Sequence, residues 1–287
     1  MSEMDPRLTP HRPDLASIAL RGRVDAARFV APSPMRVSVT SAGLRGKPSA
    51  DASYLTEALL GEDFDVLETA DGWAWGQLRS DGYVGYLPLS ALSPVSEGAP
   101  EPTHKVAVPF THLYAAANMK TPPVMTAGLG SALTVIGEEG DFLALADGRF
   151  AYARHLRPLG ETVTDFVAVA EWFLGAPYAW GGKLWTGIDC SGLVQVSLAA
   201  AGIKALRDSD MQEKSLGHAI DSYGFEDYHR GDLIFWPGHV GIMRDEENLI
   251  HASGYHMQVV TESLVSAVER IAARGVEIRT VRRIPRG

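Results

Sequence analysis

The residues with the clearest chemical potential in this sequence are one cysteine and two histidines. Cys190, in the stretch GIDCSGLV at 187–194, is the single cysteine among 287 residues. It therefore cannot form an internal disulfide, and it is either a small hydrophobic residue or a thiol kept for its reactivity. Taken alone, Cys190 fits both interpretations.

A nucleophilic role for Cys190 requires a base on another element. Cys190 lies at the expected start of a helix, where free N–H groups and the helix dipole would lower the pKa of the thiol below about 8.5. His239 follows a Pro-Gly turn at the start of an expected strand, and His251 lies on the next strand, within reach of it. Each histidine alone also fits a structural role, and the Trp180-Gly181-Gly182 turn alone fits loop packing. Three further histidines stand in polar surroundings and are predicted to lie at the surface: His218, His229 and His256.

The composition is that of a soluble globular chain, with 46% hydrophobic and 21% charged residues. The length suits two or three domains. A net charge of −9 without a Lys/Arg-rich run argues against nucleic acid or a polybasic membrane contact. The N-terminus has acids and prolines where a signal peptide has a basic start and an apolar core, and no run of 18 apolar residues follows. We therefore expect a cytoplasmic protein.

The elements that must position these residues come after two β-rich segments. Residues 1–30 are expected to be an extension with one short helix. Short alternating stretches over 31–96 and again over 104–160, separated by the linker EGAPEPTH, predict two tandem small β barrels. Residues 161–287 carry two helical patterns: TVTDFVAVAEWFLGAPY, with a helix that ends at Gly-Ala-Pro, and a second helix from Cys190 to Gly202. Three strand-like runs follow, DLIFW, HVGIMR and NLIHAS, and together these elements predict an α+β domain.

Four blocks in the last domain, taken in order, resemble the NlpC-type bacterial cell-wall cysteine peptidases. They are PYAWGG (177–182), DCSGLV (189–194), GDLIFWPGHVGI (231–242) and HASG (251–254). The resemblance implies a minimal papain-like fold and cleavage of γ-D-glutamyl–diamino acid bonds in murein peptides. It covers about the last 125 residues. Nothing in the family requires a cofactor, and the sequence has no Cys/His cluster with zinc spacing.

Position by position, the resemblance implies Cys190 as nucleophile, His239 as general base and then acid, and His251 as the residue that orients His239. Tyr178 matches a tyrosine placed near the nucleophile, where it would help to stabilise the oxyanion together with backbone N–H groups at the helix start. The block RDSDMQ (207–212) is also similar to a family block, but the sequence assigns it no role.

Two SH3-like modules before the catalytic domain resemble a recycling subgroup that takes short free murein peptides with an unblocked N-terminal L-Ala. That resemblance implies an ammonium site formed by Asp189, Ser191 and Tyr83, the last from GYVGYLP; Tyr83 also fits a barrel core. The subgroup has an acidic contact that aligns here with Leu55, and Glu57 lies two residues on. A carboxylate with hydroxyl acceptors is suited to an ammonium group.

The implied activity is therefore hydrolysis of L-Ala-γ-D-Glu-diaminopimelate in cell-wall recycling. One alternative is an exported hydrolase acting on intact peptidoglycan, with the barrels as wall-binding modules. Others are a non-catalytic peptide-binding protein and an acyltransferase that uses the same thioester. The sequence leaves open diaminopimelate or lysine as the third substrate residue, and also the oligomeric state.

Overall fold

The structure is a computed structural model that describes residues 4–220 and 227–285. The chain divides into two compact units, Met1–Glu161 and Thr162–Gly287. The N-terminal unit contains the β-rich segments, and the C-terminal unit contains Cys190, His239 and His251. Each unit is described by itself below.

The first part of the N-terminal unit is a sheet in the order β10-β4-β7-β8-β9-β5-β6. Its strands are β4 (Ser33–Val37), β5 (Ser41–Arg45), β6 (Tyr54–Leu59), β7 (Asp63–Ala70), β8 (Trp73–Leu78), β9 (Val84–Pro88) and β10 (Leu92–Pro94), with a 3-10 turn at Leu89–Ala91. The β7–β8 hairpin closes at Asp71 and Gly72, which have φ of 50° and 80°. Two positive φ values give the tight turn that matches strand twist, and the sequence ADG is typical of it.

Residues before this sheet are folded against it and are not a bare extension. They form β1 (His11–Arg12), β2 (Leu15–Ser17), a 3-10 helix (Ile18–Leu20) and β3 (Phe29–Val30). Leu15 is fully buried with Trp75 and Val84 of the sheet. The guanidinium of Arg12 lies 4.3 Å from the centre of the Trp75 ring. Burial of this apolar surface holds the segment in place.

The second part of the N-terminal unit has its own core. Its strands are β11 (His104–Val106), β12 (Phe110–Tyr114), β13 (Pro123–Gly128), β14 (Ala132–Leu133), β15 (Val135–Glu139), β16 (Phe142–Leu145), β17 (Phe150–Tyr152) and β18 (Leu156–Pro158), with a 3-10 turn at Ala153–His155. They form sheets in the orders β14-β11-β18 and β13-β12-β17-β16-β15. Leu60 from the first part packs into the core of the second, and its carbonyl accepts from the Ala132 N–H at 2.9 Å.

The C-terminal unit is α+β, with helices packed on a six-stranded antiparallel sheet in the order β21-β26-β22-β23-β24-β25. Its elements are α1 (Phe166–Glu171), β19 (Lys183–Leu184), β20 (Gly187–Ile188), α2 (Cys190–Ala200), α3 (Ser209–Ser215), β21 (His218–Ala219), β22 (Leu233–Trp236), β23 (His239–Met243), β24 (Asn248–Ser253), β25 (Gln258–Ser263), α4 (Leu264–Ala272) and β26 (Thr280–Arg283). Helix α2 packs on β23 and β24, which brings Cys190 to the strands that carry the two histidines.

Helix α1 is shorter than its apolar spacing suggested. Asp165 caps it by accepting from the N–H groups of Val167 and Ala168. The helix ends at Glu171, and turns follow to Gly175, which has φ of 81°. A glycine in this left-handed conformation stops a helix, so the apolar residues after Glu171 belong to a turn. In the described part of the chain, no helix has both the length and the apolarity to cross a membrane.

Candidate active site

Cys190 is the first residue of α2, and its thiol is almost completely buried, with 7% of the residue exposed. Burial and then the neighbouring Asp189 carboxylate raise the pKa of the thiol above its ordinary value, although backbone N–H groups of Val240 and Ser191 hydrogen-bond to the sulphur. The expected lowering by the helix start is therefore outweighed. The resting thiol is protonated, and attack requires a base to remove its proton.

His239 is placed to be that base. It begins β23, and the N–H of the next residue, Val240, hydrogen-bonds to the Cys190 sulphur. Burial, and then the positive charge that His251 can carry, lower the pKa of His239, so its ring is neutral at neutral pH. Its Nε2 lies 2.7 Å from Nδ1 of His251. Because Nε2 is occupied, Nδ1 is the ring nitrogen left for Cys190.

His251 lies on the adjacent strand β24 and is 1% exposed. The β23–β24 register pairs Ile242 with Ile250. When this register is continued by one pair, His239 and His251 lie diagonally to each other on one face of the sheet, where side chains of neighbouring strands meet. The structure thus brings together the predicted nucleophile, base and orienting residue.

The hydrogen-bond chain continues beyond the residues found in the sequence. Nε2 of His251 lies 2.7 Å from Oε1 of Glu262 on β25, and Arg270 on α4 forms an ion pair with the same carboxylate. Partial burial would raise the pKa of Glu262, but the His251 hydrogen bond and the charge of Arg270 outweigh it and lower this pKa to about 2. Glu262 is thus ionised. The sequence signal that could have indicated Glu262 is the acidic residue on the strand that follows the HASG block.

Asp189 and Ser191, which flank the nucleophile, are both bound to a buried arginine. Arg207 is 1% exposed and donates to both carboxylate oxygens of Asp189, at 2.9 and 2.7 Å, and to Ser191 Oγ at 2.8 Å. Asp189 also accepts from the N–H groups of Gly181 and Gly192, at 2.8 and 2.7 Å. This carboxylate is the N-cap of α2, and bidentate pairing with Arg207 fixes it.

The RDSDMQ block, which had no role in the sequence, therefore supports the nucleophile. Arg207 binds Asp189, and the side-chain amide of the fully buried Gln212 donates to the carbonyls of Ser191 and Leu206, each at 2.9 Å. Both residues hold the first turn of α2 in place. A role for Asp189 and Ser191 in binding a substrate ammonium stays a prediction.

Tyr178 is half-buried, and its N–H donates to the carbonyl of Met257 at 2.9 Å. Burial and then the charge of a Cys190 thiolate raise the pKa of its phenol. The phenol therefore keeps its proton and is a hydrogen-bond donor close to the reacting sulphur. This position suits stabilisation of an oxyanion.

The remaining predicted site residues lie in the N-terminal unit. Tyr83 directly precedes β9 and is 2% exposed. Glu57 on β6 accepts a hydrogen bond from Ser41 Oγ at 3.0 Å, and Leu55 is half-buried on the same strand. In residues 4–220 and 227–285 no group of three or more His, Cys, Asp or Glu side chains is placed to hold a metal ion.

Comparison with known proteins agrees with this geometry. Residues 175–273 match the NlpC/P60 family, and residues 44–92 match the bacterial dipeptidyl-peptidase Sh3 domain. The chain carries an NlpC/P60 domain. The predictions of an NlpC-type cysteine peptidase and of an α+β fold with a papain-like C-terminal domain after an all-β region are thereby confirmed.

Similar proteins extend this likeness over most of the chain. Dipeptidyl-peptidase 6 of Lysinibacillus sphaericus is 25% identical over 233 residues, which are 74% of this chain and 84% of that protein. The γ-D-glutamyl-L-lysine dipeptidyl-peptidase of Bacillus subtilis (strain 168) is 25% identical over 231 residues, covering 72% and 75% of the two chains. The crystal structure of an NlpC/P60 family protein from Bacillus cereus ATCC 10987 superposes with a TM-score of 0.74 at 22% identity, over 88% of this chain and 100% of that one. This last similarity is one of fold.

Proposed function

We propose that this protein hydrolyses the γ-D-glutamyl–diamino acid bond of free murein peptides such as L-Ala-γ-D-Glu-diaminopimelate. The observation that carries the proposal is the hydrogen-bonded pair His239 and His251 beside the buried thiol of Cys190. Similarity to a γ-D-glutamyl-L-lysine dipeptidyl-peptidase over 72% of this chain supports the substrate class. That similarity spans more than the catalytic domain alone.

The first half of the reaction forms a thioester. Cys190 gives its proton to Nδ1 of His239 as the sulphur attacks the γ-carbonyl carbon of D-Glu. The Tyr178 phenol and N–H groups at the start of α2 stabilise the oxyanion that forms. His239 then gives its proton to the amine of the diamino acid as the carbon–nitrogen bond breaks.

The second half releases the acyl group. His239 takes a proton from water, and the resulting hydroxide attacks the thioester carbonyl. The carbon–sulphur bond breaks, and the proton on His239 returns to Cys190. The products are L-Ala-D-Glu and the free diamino acid, and the enzyme regains its neutral thiol and imidazole. Because both groups are neutral at rest, no ion pair has to persist in the buried site between turnovers.

Recognition of a free N-terminal L-Ala is the finer part of the proposal. Asp189 and Ser191 flank the nucleophile in the sequence, which makes them the candidates for an ammonium site beside Cys190. The role of Tyr83, which is buried in the N-terminal unit, rests on the sequence resemblance alone and stays a prediction. The side chains of Asp189 and Ser191 both already accept from Arg207, so the ammonium would be an additional donor, and a blocked amine would lose that hydrogen bond, which disfavours acylated peptides.

Mass spectrometry of products tests both levels. The purified protein receives L-Ala-γ-D-Glu-diaminopimelate, its lysine counterpart and the N-acetylated form of each, with Cys190→Ala as the control. We expect L-Ala-D-Glu from the free peptides and none from the control. Equal cleavage of the acetylated forms would overturn the ammonium assignment and favour a hydrolase of intact wall. No cleavage of any peptide would overturn the proposed activity, and an amine-dependent product would indicate an acyltransferase.

Cytoplasmic recycling is the setting that we propose for this reaction. Its test is fractionation of the source cells with an antibody against the protein. Recovery with cytoplasmic markers is the expected result, and recovery with the wall or the medium would instead support the exported hydrolase. The proposal involves no nucleic acid, membrane or cofactor partner.

A further inference from the structure

The carboxylate of Glu262 ends a continuous chain of hydrogen bonds that begins at the catalytic base. His239 Nε2 and His251 Nδ1 lie 2.7 Å apart, and His251 Nε2 and Glu262 Oε1 also lie 2.7 Å apart. The three residues come from the adjacent strands β23, β24 and β25. Val260 is the direct strand partner of His251. Glu262 lies two positions after Val260, so its side chain is diagonal to His251 on the same face of the sheet.

The direction of each hydrogen bond is fixed by the far end of this chain. An ionised carboxylate only accepts, so the Nε2 of His251 must carry the proton in that bond. A neutral His251 then has a free lone pair on Nδ1, which can only accept from His239. The proton of neutral His239 therefore lies on Nε2, and its Nδ1 is left with the lone pair that removes the proton of Cys190.

We propose that Glu262 is a positioning residue of the active site: it sets the tautomer of His251, and through it the tautomer of His239. Arg270 holds the carboxylate in this orientation. The inference rests on the proposed function only for the identity of the substrate. It goes beyond the nucleophile, base and orienting histidine, because it adds a residue that touches none of the reacting atoms.

The surroundings of Glu262 support an ionised acceptor at this point. Arg270 on α4 pairs with Oε1, and His256 in the β24–β25 turn has its Nε2 at 3.8 Å from the same oxygen. His251 donates from β24. The ring of Tyr255 lies 4.8 Å from the Arg270 guanidinium and confines it. The groups facing Glu262 from neighbouring elements are thus donors or cations, and none of them can replace it as the acceptor for His251.

The chain also remains intact through the reaction. When His239 takes the Cys190 proton on Nδ1, its Nε2–H still donates to His251, and His251 still donates to Glu262. No proton has to move along the chain. The negative charge at its end favours the imidazolium form of His239, because opposite charges attract in a poorly solvated site.

Three variants separate this role from a general effect on folding. Glu262→Ala removes the acceptor, and Glu262→Gln keeps an acceptor oxygen but removes the charge. Glu269→Gln removes a charge from the exposed neighbour of Arg270 on the same helix and is the matched control. Alkylation of Cys190 by iodoacetamide across pH reports the thiol and its base without any peptide substrate.

We expect Glu262→Ala to slow alkylation at pH 7 by roughly 10- to 100-fold, by analogy with the effect of removing the outer hydrogen-bond partner of a metal-ligating histidine. Its pH midpoint should fall, because loss of the carboxylate charge disfavours the imidazolium form of His239, which then forms only at lower pH. Glu262→Gln should fall between the wild type and Glu262→Ala, and Glu269→Gln should match the wild type. Alkylation of Glu262→Ala at the wild-type rate and midpoint would overturn the proposal.

A measurement on the wild-type protein tests the same proposal even when a variant fails to fold. Nitrogen-15 NMR of the histidine rings distinguishes the two neutral tautomers. We expect the proton of His251 on Nε2 and that of His239 on Nε2, and a proton on Nδ1 of neutral His251 would overturn the inference. Neither assay uses murein peptides, so failure of the proposed substrate and failure of this role give different results.

Discussion

Removal of Arg207 should destabilise the C-terminal unit strongly, because it would leave a charge buried beside the nucleophile. Arg207 is 1% and Asp189 6% exposed, and two of their hydrogen bonds join them at 2.9 and 2.7 Å. Breaking a buried ion pair from one side costs about 3–5 kcal/mol. Asp189 would keep the backbone donors of Gly181 and Gly192. The free energy of unfolding should therefore fall by about 3 kcal/mol in Arg207→Met, the low end of that range.

The double variant Arg207→Met with Asp189→Asn should recover part of this loss. Its cap would be a neutral amide that still accepts a hydrogen bond from Gly192, and no unpaired charge would be buried. The two changes should therefore be non-additive by more than about 1 kcal/mol, as expected for residues in direct contact.

Urea unfolding of the four proteins in this cycle measures these free energies. Hydrogen exchange of the peptides that cover α2 shows whether the loss is centred on the nucleophile helix. A fall below about 1 kcal/mol for Arg207→Met, or strict additivity in the double variant, would refute the reasoning that Arg207 compensates a buried carboxylate.

Three further predictions follow from burial, backbone conformation and charge. Leu15→Ala should lower the free energy of unfolding by about 2–5 kcal/mol, measured in urea, since Leu15 is fully buried against the first sheet. Gly61→Ala should lower the melting temperature more than Gly72→Ala does. Both glycines have φ of at least 80°, but an added Cβ at Gly61 would lie 1.9 Å from the Ala132 carbonyl oxygen, whereas one at Gly72 would meet open space. The stability difference between wild type and Glu262→Gln should be complete above about pH 4.5, the ordinary pKa, and should shrink as pH falls towards 2, because the folded-state pKa of Glu262 is lowered to about 2.

Each of these has an outcome that would contradict it. A loss below about 1 kcal/mol for Leu15→Ala would mean that residues before β4 do not contribute to the folded unit. Equal melting of the two glycine variants would mean that the approach of Gly61 to Ala132 is not required. A wild-type minus Glu262→Gln difference that stays constant between pH 6 and pH 2, in urea titrations, would contradict the pKa of Glu262.

Much of the C-terminal unit was predictable because its signals are local. Short apolar runs located the strands that carry His239 and His251, and Gly202 marked the end of the nucleophile helix. The order and spacing of four blocks indicated the cysteine peptidase through their resemblance to the NlpC-type family. The sequence predicted helix α1 to be longer than it is, because the apolar spacing continues past Glu171 into a turn.

Contacts between distant residues were not predictable in the same way. The segment before β4 lacks periodicity, and the burial of Leu15 depends on Trp75 sixty residues later. Arg207 and Glu262 were visible in the sequence as ordinary charged residues. Their partners, Asp189 and His251, lie 18 and 11 positions away, and only packing of a helix and pairing of strands bring them together.

The groups available for chemistry follow from the amino-acid sequence: one thiol at a helix start, two histidines on successive strands, and a phenol before a Gly-Gly turn. Their protonation states and their order in the site depend on the packing of distant residues. Helix position alone favours a thiolate at Cys190, yet burial keeps the thiol neutral. A pKa depends on the solvation and charges that surround a group, and those are fixed only when the distant parts of the unit have packed.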